Sequence, residues 1–121
     1  MATWVAVVLG GALGSLARHG VNVATARMIG DASPWATATV NMIGSLVIGL
    51  LAGLLAANRL SMSLPARAFV FVGLLGGFTT FSSFMLDSLT LIQIDGATTG
   101  AANLAGQLVV GLLVTYAGYY A

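Results

Sequence analysis

The side chains able to do chemistry are few, and most fall in one stretch. Gly76-Gly77-Phe78-Thr79-Thr80-Phe81-Ser82-Ser83-Phe84 sits in the middle of an apolar segment running from about Ala66 to about Ile94. Paired glycines weaken a helix, and their position predicts a break at Gly76–Phe78. At membrane depth, peptide groups released by a break are tolerated only where protein buries them or where they line a polar cavity or ion site, so this segment is expected to face the inside of an assembly. Beyond the break Phe81 and Phe84 stand three apart on one helix face, with Thr80, Ser82 and Ser83 supplying hydroxyls beside them. An aromatic ring has a negative face and a positive edge. Ring edges and hydroxyl donors together therefore suit a small anion that must give up part of its water.

The remaining polar groups are sparse enough to place by depth. Arg18 lies seven residues before Thr25, Asp87 seven before Ile94 and Asn41 six after Trp35. All three then fall roughly 10 Å inside the apolar layer at the helical rise per residue. Ionisable groups at such depth usually face a partner or a water-filled cavity. Arg18 and Asp87 are expected to compensate one another, either around an aqueous vestibule that gathers anions or as a structural ion pair. The Asn41 amide can donate to an anion or bond across helices. Asn103, Gln107, Gly111 and Thr115 recur at four-residue spacing, a stripe along one helix face. His19 has no second ligand near it in sequence and reads as a packed or interfacial residue.

These residues must be positioned by an all-α integral membrane protein. The chain has 121 residues, 59% hydrophobic and 6% charged, with neither lysine nor glutamate. No soluble domain of this size hides that much apolar surface. A hydrocarbon core about 30 Å thick takes roughly 20 residues per helix, which leaves room for four spans. They are placed at about 3–25, 35–57, 66–94 and 97–120 in a single membrane domain, with turn-forming residues between them. Those links hold Arg27, Gly30, Asp31, Ser33 and Pro34, then 58–65, then Asp95 and Gly96. The first run lacks a basic n-region and holds Arg18, so it reads as a retained span rather than a cleaved leader. Trp4, Trp35, Tyr119 and Tyr120 fall near span ends, where amphipathic rings favour the headgroup layer.

Charge gives little orientation. Arg59 and Arg67 lie on one side, Arg27 and Arg18 toward the other, so the positive-inside bias is nearly balanced. A chain without a preferred direction can insert both ways, and opposed copies can pair about an axis in the membrane plane. Gly10 and Gly14, Gly49 and Gly53, and Gly73 and Gly77, each four apart, mark close helix packing.

The Gly76–Phe84 stretch resembles the signature of the Fluc/CrcB fluoride channel family, a Gly-Gly-x-Thr-Thr-Phe-Ser-Thr-Phe pattern with Ser83 here at its second threonine. Val40-Asn41-Met42-Ile43-Gly44 is similar to the family's second-span motif. The resemblance implies an antiparallel, dual-topology homodimer in the bacterial inner membrane, two fluoride pores, and a pathway that draws on Asn41, Thr80, Phe81, Ser82, Ser83, Phe84, Gln107 and Thr115. It also implies a structural Na⁺ held by the backbone carbonyls of Gly76 and Thr79. Family members commonly carry hydroxyls where Gln107 and Gly111 stand, so the fourth-span track departs from the pattern.

Other classes fit less well. A proton-coupled drug exporter of four short helices needs a carboxylate deep in its first span, and no acidic residue precedes Asp31. A non-transporting assembly subunit leaves the phenylalanine and hydroxyl pattern without a purpose. Without cysteine, and with one histidine, no nucleophile and base can be paired for an enzyme. A net charge of +1 argues against a nucleic-acid partner.

Overall fold

Four helical runs of 22 to 32 residues, each long and apolar enough to cross a membrane, account for almost all of the computed structural model. It describes residues 1–30 and 34–121, so Asp31 and Ser33 of the first link lie outside the described residues. Helix α1 spans Ala2–Ile29 and α2 spans Trp35–Ala56. The third run divides into α3 (64–78) and α4 (Phe81–Asp95), and α5 spans Ala97–Tyr119. Among the described residues only Ala36, Val40, Ala68, Leu75 and Phe84 are buried apolar ones, while Leu13, Leu16, Ile43, Leu108, Leu112 and many others face outward. Surface of this kind is stable against hydrocarbon or another apolar protein face, not against water.

Helix α3 starts earlier than its apolar run. Ser63 accepts from the Ala66 N–H at 3.3 Å and Pro65, which has no N–H, occupies the first turn, so the start of the helix leaves fewer donors unserved. From Ala68 to Leu75 the helix is π-wound. Such windings are rare and concentrate at functional sites.

The break is not at Gly76–Phe78, which remain helical, but one step later at Thr79 and Thr80, both extended (φ −81°, ψ 162° and φ −152°, ψ 124°). The reason lies in what each residue type is used for. At Gly77 an added Cβ would stand 2.8 Å from the Gly11 carbonyl oxygen, so this glycine admits α1 rather than ending the helix. The threonines end it. Thr79 turns both its N–H and its hydroxyl to the Leu75 carbonyl, at 3.0 and 2.9 Å, which closes α3. Thr80 opens α4 as its N-cap, with Oγ1 accepting from the Ser83 N–H at 3.2 Å.

The two halves then pack on different neighbours. Helix α3 lies along α1, where Gly10 and Gly14 meet the backbone of Phe69, Gly73 and Leu74 directly. Helix α4 lies along α5, which also packs on α2 through Gly49, Gly53 and Gly118. The junction crosses α2 at Gly44, where a Cβ would fall on the Thr79 methyl. The third run therefore begins beside the first helix and finishes beside the last.

Candidate functional site: the clamped helix break

One side chain holds the junction. Asn41, a helical turn before Gly44, accepts the Thr80 N–H on Oδ1 at 2.9 Å and donates from Nδ2 to the Thr80 carbonyl at 3.1 Å. This pair of bonds imitates a β-bridge, with a carboxamide standing in for a strand. It gives partners to peptide groups that the interrupted helix cannot serve, which is the condition for irregular backbone at membrane depth. Gly44 lets the chain come close, and Asn41 fixes it there.

Asn41 also donates to Gln107 Oε1 at 3.0 Å; Gln107 donates from Nε2 to Asn103 Oδ1 at 3.1 Å; Asn103 donates to Ser88 Oγ at 2.9 Å; and Ser88 donates to the Phe84 carbonyl at 2.8 Å. The α5 stripe is thus half of a polar seam shared with α2 and α4. Gln107, only 9% exposed, sits at its middle. A cavity of about 400 Å³ opens beside it, lined among others by Asn41, Leu75, Thr80, Phe81, Phe84 and Gln107. The two phenylalanine rings meet edge to face at 6.2 Å and 83°. Phe84 is buried, whereas Phe81 is 70% exposed, so one wall of the cavity belongs to a surface this chain leaves open.

The structure brings Asn41, Thr80, Phe81, Phe84 and Gln107 together with Gly76 and Thr79 around that cavity. It does not bring Ser82, Ser83 or Thr115 to its wall. Ser82 is exposed, the Ser83 N–H is used in capping, and the Thr115 hydroxyl donates to the Gly111 carbonyl at 2.9 Å. Arg18 and Asp87 share no hydrogen bond or ion pair, because α1 packs on α3 while Asp87 rides on α4, which the break has carried away from α1. Asp87 Oδ2 is buried without a hydrogen-bond partner among the described residues. Matching depth does not make the two residues neighbours.

Ser88 and Ser45 were not singled out by the sequence, and Met42 stood there only as a member of the second-span motif. Ser88 was legible only as the residue four after Phe84, spacing that lets a serine hydroxyl bond back to a helical carbonyl. Ser45 and Met42 lie near Gly111, where an added Cβ would meet Met42 Cε at 3.4 Å and Ser45 Oγ at 3.7 Å, ordinary contacts. Gly111→Ser is therefore expected to fold with an unchanged thermal midpoint and to place a hydroxyl within reach of Ser45. A thermal scan of the purified variant checks it, and a clear loss of stability would mean that the site is tighter than this.

The CrcB family model, described as CrcB-like protein, Camphor Resistance, matches residues 5–119. The chain belongs to the CrcB family. Among its relatives, a protein of Agrobacterium fabrum is 44% identical over 112 residues, covering 93% of this chain and 89% of that one. One of Nitrobacter winogradskyi is 43% identical over 113 residues, at 93% and 89% coverage. One of Opitutus terrae is 39% identical over 122 residues, at 100% and 92% coverage. All three are named fluoride-specific ion channel FluC. CrcB membership and four helices able to span make this chain a multi-pass bacterial membrane protein. Its relatives are channels, not enzymes.

Proposed function

We propose that this chain is a fluoride channel, built from two copies in opposite orientation in the bacterial inner membrane, with two pores per pair. The observation that carries the reading is the Asn41 clamp on Thr80, set against the Phe81–Phe84 pair in the wall of one cavity. The names of the CrcB relatives point to the same ion.

Moving a bare ion from water into a low-dielectric medium costs tens of kcal/mol in the Born picture, so the protein must replace the lost hydration. Thr80 accepts a hydrogen bond on its oxygen and keeps its O–H to donate; the Phe81 and Phe84 ring edges and the Asn41 and Gln107 amides complete the set. Each contact is weak, and the sites are several, which lets the ion leave again. The exposed Phe81 ring supports a second copy across the open wall, and the near-balanced arginines support its opposite orientation. Ser82, Ser83 and Thr115 then contribute where the copies meet. Hydrogen fluoride that enters from acidic surroundings dissociates inside, and a negative interior drives the anion out.

A structural Na⁺ at the centre of the pair fits the residues present. The Thr80 N–H that would serve the Gly76 carbonyl in an unbroken helix is given to Asn41, and the flank of Gly76 is open, with the Phe71 carbonyl oxygen 3.8 Å from where a Cβ would stand. The Gly76 and Thr79 carbonyls of both copies would hold the ion, and oxygen-only ligation suits a hard cation. Bound there, it would neutralise converging carbonyl dipoles.

Liposomes carrying only this polypeptide are expected to release fluoride and retain chloride, and Phe81→Ile to lose the fluoride release. Folded, assembled protein that left vesicles impermeable to fluoride would overturn the proposal.

A further inference from the structure

The seam between α2, α4 and α5 is a directed chain of hydrogen bonds whose direction is set by backbone at the Asn41 end and by a serine hydroxyl at the other. The Thr80 N–H can only donate, so Asn41 turns Oδ1 to it and Nδ2 toward Gln107. Gln107 must then show Oε1 to Asn41 and Nε2 to Asn103, and Asn103 must show Nδ2 to Ser88. At the far end the Phe84 carbonyl can only accept, and Ser88 donates to it. In this direction Gln107 presents an acceptor, and the Asn41 N–H that an anion would use is already given to it.

The same atoms also close in the opposite direction. A serine hydroxyl donates or accepts, so Ser88 can swing its proton from the Phe84 carbonyl to Asn103 Oδ1. If the Asn103 and Gln107 carboxamides each turn over, Asn103 Nδ2 donates to Gln107 Oε1, and Gln107 Nε2 comes to face Asn41 Nδ2. Two N–H donors in opposition repel unless an acceptor lies between them, and an anion is the strongest one. With an anion there the four bonds of the observed chain are replaced by four others, two of them charge-assisted. The Phe84 carbonyl keeps its own helical N–H partner, and Thr80 keeps both bonds to Asn41.

We infer that a small anion entering between Asn41 and Gln107 reverses this chain, with Asn103 and Ser88 as positioning residues that make the reversal possible. The inference rests on the anion conduction proposed above. A glutamine on α5 makes the coupling possible: a hydroxyl would reorient a proton alone, whereas a carboxamide must turn as a whole and carry its neighbour with it. Asn103 lies in the wall of a second cavity of about 980 Å³, with Trp35, Leu91 and Asp95. The relay thus joins that cavity to the one lined by Asn41 and Gln107.

The test follows the side-chain NH₂ resonances of ¹⁵N-labelled protein during titration with sodium fluoride, with sodium chloride as control. Asn41, Gln107 and Asn103 should move together with one midpoint while Asn22 and Asn58 stay fixed. In folded Gln107→Leu protein, Asn103 should stop responding. In flux, Asn103→Leu should slow fluoride about tenfold, the effect of one buried hydrogen-bond group left unpaired, and should add nothing in the Gln107→Leu background. An Asn103 resonance that ignores fluoride while Asn41 and Gln107 respond overturns the relay and leaves the channel standing. Silence from all three, with no fluoride release from vesicles, overturns both.

Discussion

Asn41→Leu is expected to abolish fluoride efflux and to lower the thermal midpoint in the same variant. Among the described residues the Thr80 N–H and Gln107 Oε1 have no hydrogen-bond partner other than Asn41. A buried polar group left unpaired costs about 1–3 kcal/mol, so two of them remove a sizeable part of the roughly 5–15 kcal/mol by which proteins of ordinary stability stay folded. The Thr80 carbonyl loses a donor as well, and the junction is then free to leave the cavity wall. Asn41→Asp separates the parts. It keeps an acceptor for the Thr80 N–H but sets its other carboxylate oxygen against the Thr80 carbonyl, and it turns the Gln107 NH₂ onto itself, so that no Asn41 donor is left for an anion. It should therefore fail to restore flux while recovering some stability. Efflux from liposomes and a thermal scan in detergent read the two effects, and a leucine variant with wild-type values in both would refute the clamp.

The clamp also marks where the sequence stops being informative. Four apolar runs long enough to cross a membrane are a local property, so the existence of four such helices could be read from the sequence, though α1 runs on through Arg27 to Ile29, which the expected first link had claimed. The place of the break could not. Helix propensity singles out Gly76 and Gly77, yet the structure uses Gly77 to admit α1 and leaves both glycines helical. What interrupts the run is a capping threonine together with a carboxamide 39 residues away, and no local window holds both. The same limit explains Arg18 and Asp87. Counting from span ends gives depth, but neighbours are set by which helix packs on which, and the break moves α4 to the other side of α2. The α5 stripe was legible as a face. Its partner Ser88 was not, because the residues that meet it are decided by the path of the broken helix.

Close helix contact carries the other large effect. Gly14→Ala and Gly49→Ala are each expected to lower the thermal midpoint sharply, because the new methyl group meets main chain: the Leu74 carbonyl at Gly14, and the Thr115 carbonyl at Gly49. Side chains can rotate out of the way, but a helical carbonyl cannot, so the helices must part along their length. Overpacking of this kind typically costs about 1–3 kcal/mol, and separation also weakens the contacts that keep α3 and α5 on either side of the cavity. Flux should fall with stability. Gly20→Ala is the counterpart: nothing stands within 4 Å of the added group, and a helical Gly→Ala change gains up to about 1 kcal/mol in propensity. Its midpoint should hold or rise. Gly106 is equally open within one chain, with nothing within 4 Å, yet it lies on α5 one residue before Gln107. If Gly106→Ala lowers stability in lipid, or shifts the protein from dimer toward monomer in detergent while Gly20→Ala does neither, the space beside it is closed by another copy of the chain. If both variants behave alike, the second copy does not reach that face of α5.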